Sequence, residues 1–169
     1  MAPDPVFFKP LLLAEQGGRL QGRLQLENMR RLAEIIYQDT GTVQYHLRLG
    51  RDEFGFSYIR GDYQVTLQLV CQRCLNPFTL PLSNEINIGL AASSEQLEKL
   101  PSHYEPMLLT TDEVSLLTLI EDEVLLGVPM VPVHPQGDCL AAAQIARHAP
   151  DRENPFAVLK QLRVKNSKS

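Results

Sequence analysis

The chain has 169 residues, 44% of them apolar and 21% charged, with a formal net charge of −4. Those proportions suit one globular domain with a sizeable core, alone or with a tail, and exclude a wholly disordered chain. They also exclude an evenly basic surface of the kind that tracks nucleic-acid phosphates along its whole length.

The opening segment, MAPDPVFFKPLLLAEQ, lacks the basic start and long apolar run of a secretory signal, and nowhere do about 20 uncharged apolar residues follow one another. The expectation is a cytoplasmic protein. Between Arg19 and Leu26, apolar or small residues alternate with Gln21, Arg23 and Gln25, the period of a half-buried strand. The period then changes: Met29, Leu32, Ala33 and Ile36 share one helical face, which predicts a helix over 28–37 with Asn28 as its N-cap. Val43, Tyr45, Leu47 and Leu49 alternate again, and Phe54, Phe56 and Tyr58 continue at the same spacing after a turn. These aromatics are assigned to the core rather than to a base-stacking platform. The RGD triplet, Arg60–Asp62, punctuates before the cleanest strand, Tyr63 to Cys71. A return strand runs through Phe78, Leu80 and Leu82 and on to Leu90, with Pro81 marking an edge or a bulge.

The segment AASSEQLEKLPSHYEP reads as a short acidic helix and a loop. Thr110 and Glu113 have the spacing of a capping box, and the stripe Val114, Leu117, Ile120, Val124, Leu125, Val128 predicts a helix over 114–128 lying across the sheet. Prolines then force an extended or turning path up to Cys139. A short C-terminal helix opening at Pro155, with Asn154 as its cap, is expected in a loosely attached tail, 140–169. Short connections between alternating strands imply an antiparallel meander. The expected fold is α+β: an antiparallel sheet of about five to six strands with two amphipathic helices on one face, in a single domain over 1–139.

Three cysteines, an odd count, argue against a disulfide framework. Cys71 and Cys74 have the C-x-x-C spacing of a zinc knuckle, and His134 and Cys139 would complete one Cys3His set. A redox dithiol would need a helix after Cys74, where Pro77 and a strand follow instead. The blandest alternative, small buried thiols, fits Cys71 on the apolar face of its strand. The triplet Glu121, Asp122 and Glu123 cannot converge on one substrate atom, because consecutive helical residues point about 100° apart. It reads as a solvated acidic face, with docking of a basic protein as its functional alternative. Lys160, Arg163, Lys165 and Lys168 make the tail the one basic end. No phosphate-binding loop, dinucleotide fingerprint or nucleophile motif occurs, so a non-enzymatic protein is expected.

Four blocks taken together resemble one family: CQRCLNPF, LPSHYEPM, LIEDEVLLGVPMVPVH followed by Cys139, and NPFAVLKQL. They are similar to the corresponding segments of the bacterial YceD family, the large ribosomal RNA subunit accumulation proteins. The resemblance implies a cytoplasmic factor needed for synthesis, processing or stability of 23S rRNA, with no established catalytic activity. It places the family's C-x-x-C pair on Cys71 and Cys74. Some relatives carry further cysteines after the helix, where this chain has His134 and Cys139. Two ways of acting follow, namely direct binding of RNA through the basic tail (Lys160, Arg163, Lys165 and Lys168) together with basic residues of the strands, or an adaptor with structural zinc that bridges a ribosomal protein or a ribonuclease. Neither calls for a membrane or a small-molecule substrate.

Overall fold

The computed structural model describes residues 7–135 and residue 139. The chain divides into two units, Met1–Val133 and His134–Ser169, and the architecture below is that of the first. In chain order its elements are β1 (Phe7–Phe8), α1 (Pro10–Gln16), β2 (Arg19–Gln25), one 3₁₀ turn (Leu26–Asn28), α2 (Arg30–Ala33), β3 (Thr42–Arg51), β4 (Ser57–Val70), β5 (Pro77–Ala91), α3 (Ser94–Glu98), β6 (Glu105–Leu108), β7 (Val114–Ser115) and α4 (Leu116–Gly127). The expected α+β class is borne out. Five strands form the main sheet in the order β2-β3-β4-β5-β6, and β1 pairs with β7 in a small second sheet.

Strict alternation builds the main sheet's one-sided core. Tyr45, Leu47, Leu49, Ile59, Tyr63, Val65, Leu67 and Leu69 are buried at odd positions, while the even positions Gln44, His46, Arg48, Arg60 and Gln64 face outward and are exposed. The helix α4 lays Leu116, Leu119, Ile120 and Val124 into that core. Its last turn is pinned by Tyr63, whose hydroxyl donates to the Glu123 carbonyl at 2.9 Å and accepts from Asn84 Nδ2 at 2.9 Å.

Several boundaries differ from the sequence expectation. The RGD triplet does not interrupt anything: β4 runs through it, and Gly61 is needed there because a Cβ would overlap the His46 carbonyl of β3. Phe54 is not core but 74% exposed in the β3–β4 turn, where the Asp52 carboxylate accepts from the Phe54 and Phe56 amides at 3.0 and 2.8 Å. Tyr58 likewise sits on the outward side of β4, half-buried. The helix expected over 28–37 shrinks to α2, because Tyr37 N–H donates to the Gln68 carbonyl and Gln38 bridges Gln68, drawing the chain onto β4.

Ser115, not Thr110, caps α4, its hydroxyl accepting from Thr118 N–H at 3.2 Å. Val114 belongs to β7, opposite Phe8. The strand β6 breaks the antiparallel meander, since it joins β5 in parallel after the α3 crossover. The helix α1 was not foreseen at all. The tail helix at Pro155 falls outside the described residues, and no described helix is long and apolar enough to cross a membrane.

Candidate metal centre and neighbouring surfaces

Cys71 follows the last residue of β4, and Cys74 lies in the turn that leads into β5. The turn closes on its own backbone: Cys71 N–H donates to the Asn76 carbonyl at 3.0 Å, and Leu75 N–H donates to the Cys71 carbonyl at 2.9 Å. Leu75 adopts φ 60°, the left-handed region that non-glycine residues seldom occupy. The Arg73 amide is aimed at Cys71 Sγ, 3.4 Å away. Gln72 N–H donates to the Pro132 carbonyl at 2.8 Å, two residues before His134.

The ligand atoms of Cys71, Cys74, His134 and Cys139 all lie within 4.8 Å of one another. Cys71 and Cys139 are buried, and Cys74 and His134 are half-buried. A tetrahedral zinc with Zn–S bonds near 2.3 Å holds its donors about 3.8 Å apart, so this set closes on an ion with small side-chain movements. Three sulfurs and one imidazole would give a metal a full coordination shell supplied by the chain, the composition of structural rather than open catalytic sites. The four residues singled out from spacing are thus brought together and can hold a metal. A strand rather than a helix follows Cys74.

The acidic triplet is not one solvated face. Glu121 is 6% exposed, and its carboxylate accepts from the backbone amides of Arg31 (2.8 Å) and Leu32 (3.1 Å) and from Arg31 Nη2 (3.0 Å). It thereby satisfies the first amides of α2, the role expected of Asn28. Asp122 shares the same guanidinium, and the hydrogen bonds to Asp122 and Glu121 raise the Arg31 pKa. Glu123 is half-buried. Burial, followed by the charges of Glu105 and Asp122, pushes its carboxyl up to about 7. Lys160, Arg163, Lys165 and Lys168 lie outside the described residues.

The outward side of the sheet holds an arrangement of strand residues that sequence reading did not give. Strand register aligns Arg19 of β2 with Arg48 of β3, Arg48 with Arg60 of β4, and Arg60 with Asn87 of β5. The Arg60 guanidinium stands 4.5 Å from the Tyr58 ring and 5.1 Å from that of Tyr104, and it donates to the Tyr104 hydroxyl and Asn87 Oδ1. Tyr104 in turn donates to Asp52 at 3.0 Å. The signal was present in the polar half of each alternation, but only register turns three separated arginines into a row.

Fold and site together define a small α+β protein with a Cys3His cluster at the end of its longest hairpin. Residues 59–163 match the family described as large ribosomal RNA subunit accumulation protein YceD, and the chain belongs to that family. It is 29% identical over 168 residues to the large ribosomal RNA subunit accumulation protein YceD of Haemophilus influenzae, an alignment covering 95% of this chain and 97% of that protein. No solved structure matches. The family resemblance read from the four sequence blocks is thus borne out.

Proposed function

We propose that this protein supports the accumulation of large-subunit rRNA as a non-enzymatic accessory factor in the cytoplasm, acting by binding RNA or an assembly partner. The observation that carries this reading is the near full-length similarity to a protein named for that role. Structural zinc, held by Cys71, Cys74, His134 and Cys139, is part of the proposal, supported by the convergence of those donors. The tail residues Lys160, Arg163, Lys165 and Lys168 are proposed to add phosphate contacts.

The test is genetic and direct. Deleting the gene should lower the ratio of 23S to 16S rRNA, and the intact gene should restore it. An unchanged ratio overturns the reading. Protein purified without chelator should carry about one zinc per chain, and Cys74→Ser should lose it. Absence of zinc from the intact protein removes the metal from the proposal.

A second reading, an adaptor for a basic ribosomal protein or ribonuclease, is favoured by the grouping of Glu105, Asp122 and Glu123, where burial and then the charges of the first two raise the Glu123 pKa. Reversing the charge of Asp122 and Glu123 should then release a partner recovered with the intact protein. Unchanged recovery removes this surface.

A further inference from the structure

We propose that the outward face of the five-stranded sheet is a contact surface for single-stranded RNA, the Arg19–Arg48–Arg60 row holding phosphates and Tyr58 offering its ring to a base. The proposal rests on the reading above and assigns it a surface.

The first argument is electrostatic. Neighbouring strands lie about 4.8 Å apart, so three guanidiniums in register repel one another. Acids would relieve this, yet among the described residues Arg19, Arg23, Arg48 and Arg60 have no carboxylate at ion-pair distance, whereas the neighbouring Arg51 pairs with Glu15 at 2.7 Å. Acids border the row without pairing directly with it: Tyr104 accepts from Arg60 and donates to Asp52, Glu15 is held by Arg51, and Asp62 and Glu85 stand one row away, Asp62 lying 3.3 Å from His46. A chain with net charge −4 thus keeps a local stripe of cations without direct ion pairs, and a polyanion is the complement of such a stripe.

The second argument is shape. A depression of about 420 Å³ opens at one end of the row, lined by Arg19, Arg48, Arg51, Gly50 and Tyr58 and by one acid, Glu15, which Arg51 pairs. That volume falls in the range of about 300–1,000 Å³ typical of small-ligand sites. A Cβ on residue 50 would stand 2.7 Å from the Tyr58 hydroxyl, so glycine is what lets the Tyr58 ring lie across β3 at this spot. Guanidinium donors beside a half-exposed ring match the paired requirements of a single strand, phosphates to neutralise and bases to stack. The flanking Gln21, Gln44 and Gln64 are exposed and add hydrogen-bonding groups without opposing charge.

The test uses the full chain and a labelled, mixed-sequence RNA single strand of about 20 nucleotides, followed by fluorescence anisotropy over a range of salt. The double variant Arg19→Gln/Arg48→Gln should weaken binding at least tenfold at low salt. It should also flatten the salt dependence by about 0.7 in slope for each arginine that contacts phosphate. Tyr58→Leu should weaken binding about tenfold with the slope unchanged. Both arginines are exposed, so circular dichroism and melting of the double variant should match the parent. Unchanged affinity in the double variant, or no RNA bound by the intact protein, overturns the proposal. Loss of a protein partner with RNA affinity intact overturns it too. The rRNA ratio in the deletion strain is read independently, so failure of this surface and failure of the biological role are separable.

Discussion

Glu121 joins two segments some ninety residues apart, which makes it a sensitive place to test how the helical layer is held. Replacing it by alanine strips acceptors from the Arg31 and Leu32 amides and from the Arg31 guanidinium at once. Removing one partner of a buried pair costs about 3–5 kcal/mol, and the half-exposed Arg31 side chain lowers this to about 2–4. For a chain of this size that is a fall in melting temperature of about 6–12 °C. Glu121→Gln keeps one carbonyl oxygen for the amides and should cost about 1–2 kcal/mol. Arg31→Ala leaves the backbone donors satisfied and strips only the guanidinium from Glu121 Oε2, so it should cost about 1–2 kcal/mol, less than Glu121→Ala. Urea denaturation followed by far-ultraviolet circular dichroism measures all three. The reasoning fails if Arg31→Ala is as damaging as Glu121→Ala, because the amides would then not be what the carboxylate serves.

The raised pKa of Glu123 sets a pH dependence. Between 4.5 and about 7 the folded chain holds a proton that the unfolded chain has released. The stabilisation is therefore complete below 4.5 and is lost as pH rises through about 7. Glu123→Gln should flatten that slope and gain about 1 kcal/mol at pH 8, allowing for solvent screening; a steeper slope in the variant would contradict it. Gly61→Ala should cost about 1–3 kcal/mol in urea, since the clash is with the His46 backbone and no side chain can yield. If zinc is structural, chelation should lower the melting temperature of the parent and leave Cys74→Ser, already without metal, unmoved.

Much of the sheet was legible because each strand is solvated on one side, so its pattern is local and needs no knowledge of its neighbours. The lengths of β2, β3 and the return strand follow from that alone. What could not be read depends on distant residues. The short α2 stops where β4 captures Tyr37, and its amides are satisfied by a carboxylate from α4. Phe54 looked like another inward aromatic because the spacing continues through the turn, and the Asp52 carboxylate that caps this turn has no period. Each half of the thiol cluster could be read as a spacing, C-x-x-C and H-x4-C. Together they read as one Cys3His set, but the hydrogen bond from Gln72 to the Pro132 carbonyl, between residues far apart in sequence, leaves no local pattern to read.

The β4–β5 hairpin outreaches its neighbours. The pairing of β3 with β4 ends at Gln64, and β6 joins β5 only from Ile88 onward. From Val65 to Val70 and from Pro77 to Leu82 the two strands are therefore each other's main rungs, helped by a single bridge at Gln68. Two-stranded ribbons are marginal by themselves, and the cysteine turn caps this one at its open end. A metal clasped there would act as a rivet on the least supported stretch of the sheet. Zinc starvation or thiol oxidation would then be felt first as unzipping from that tip inward, with the arginine-bearing strands behind it still intact.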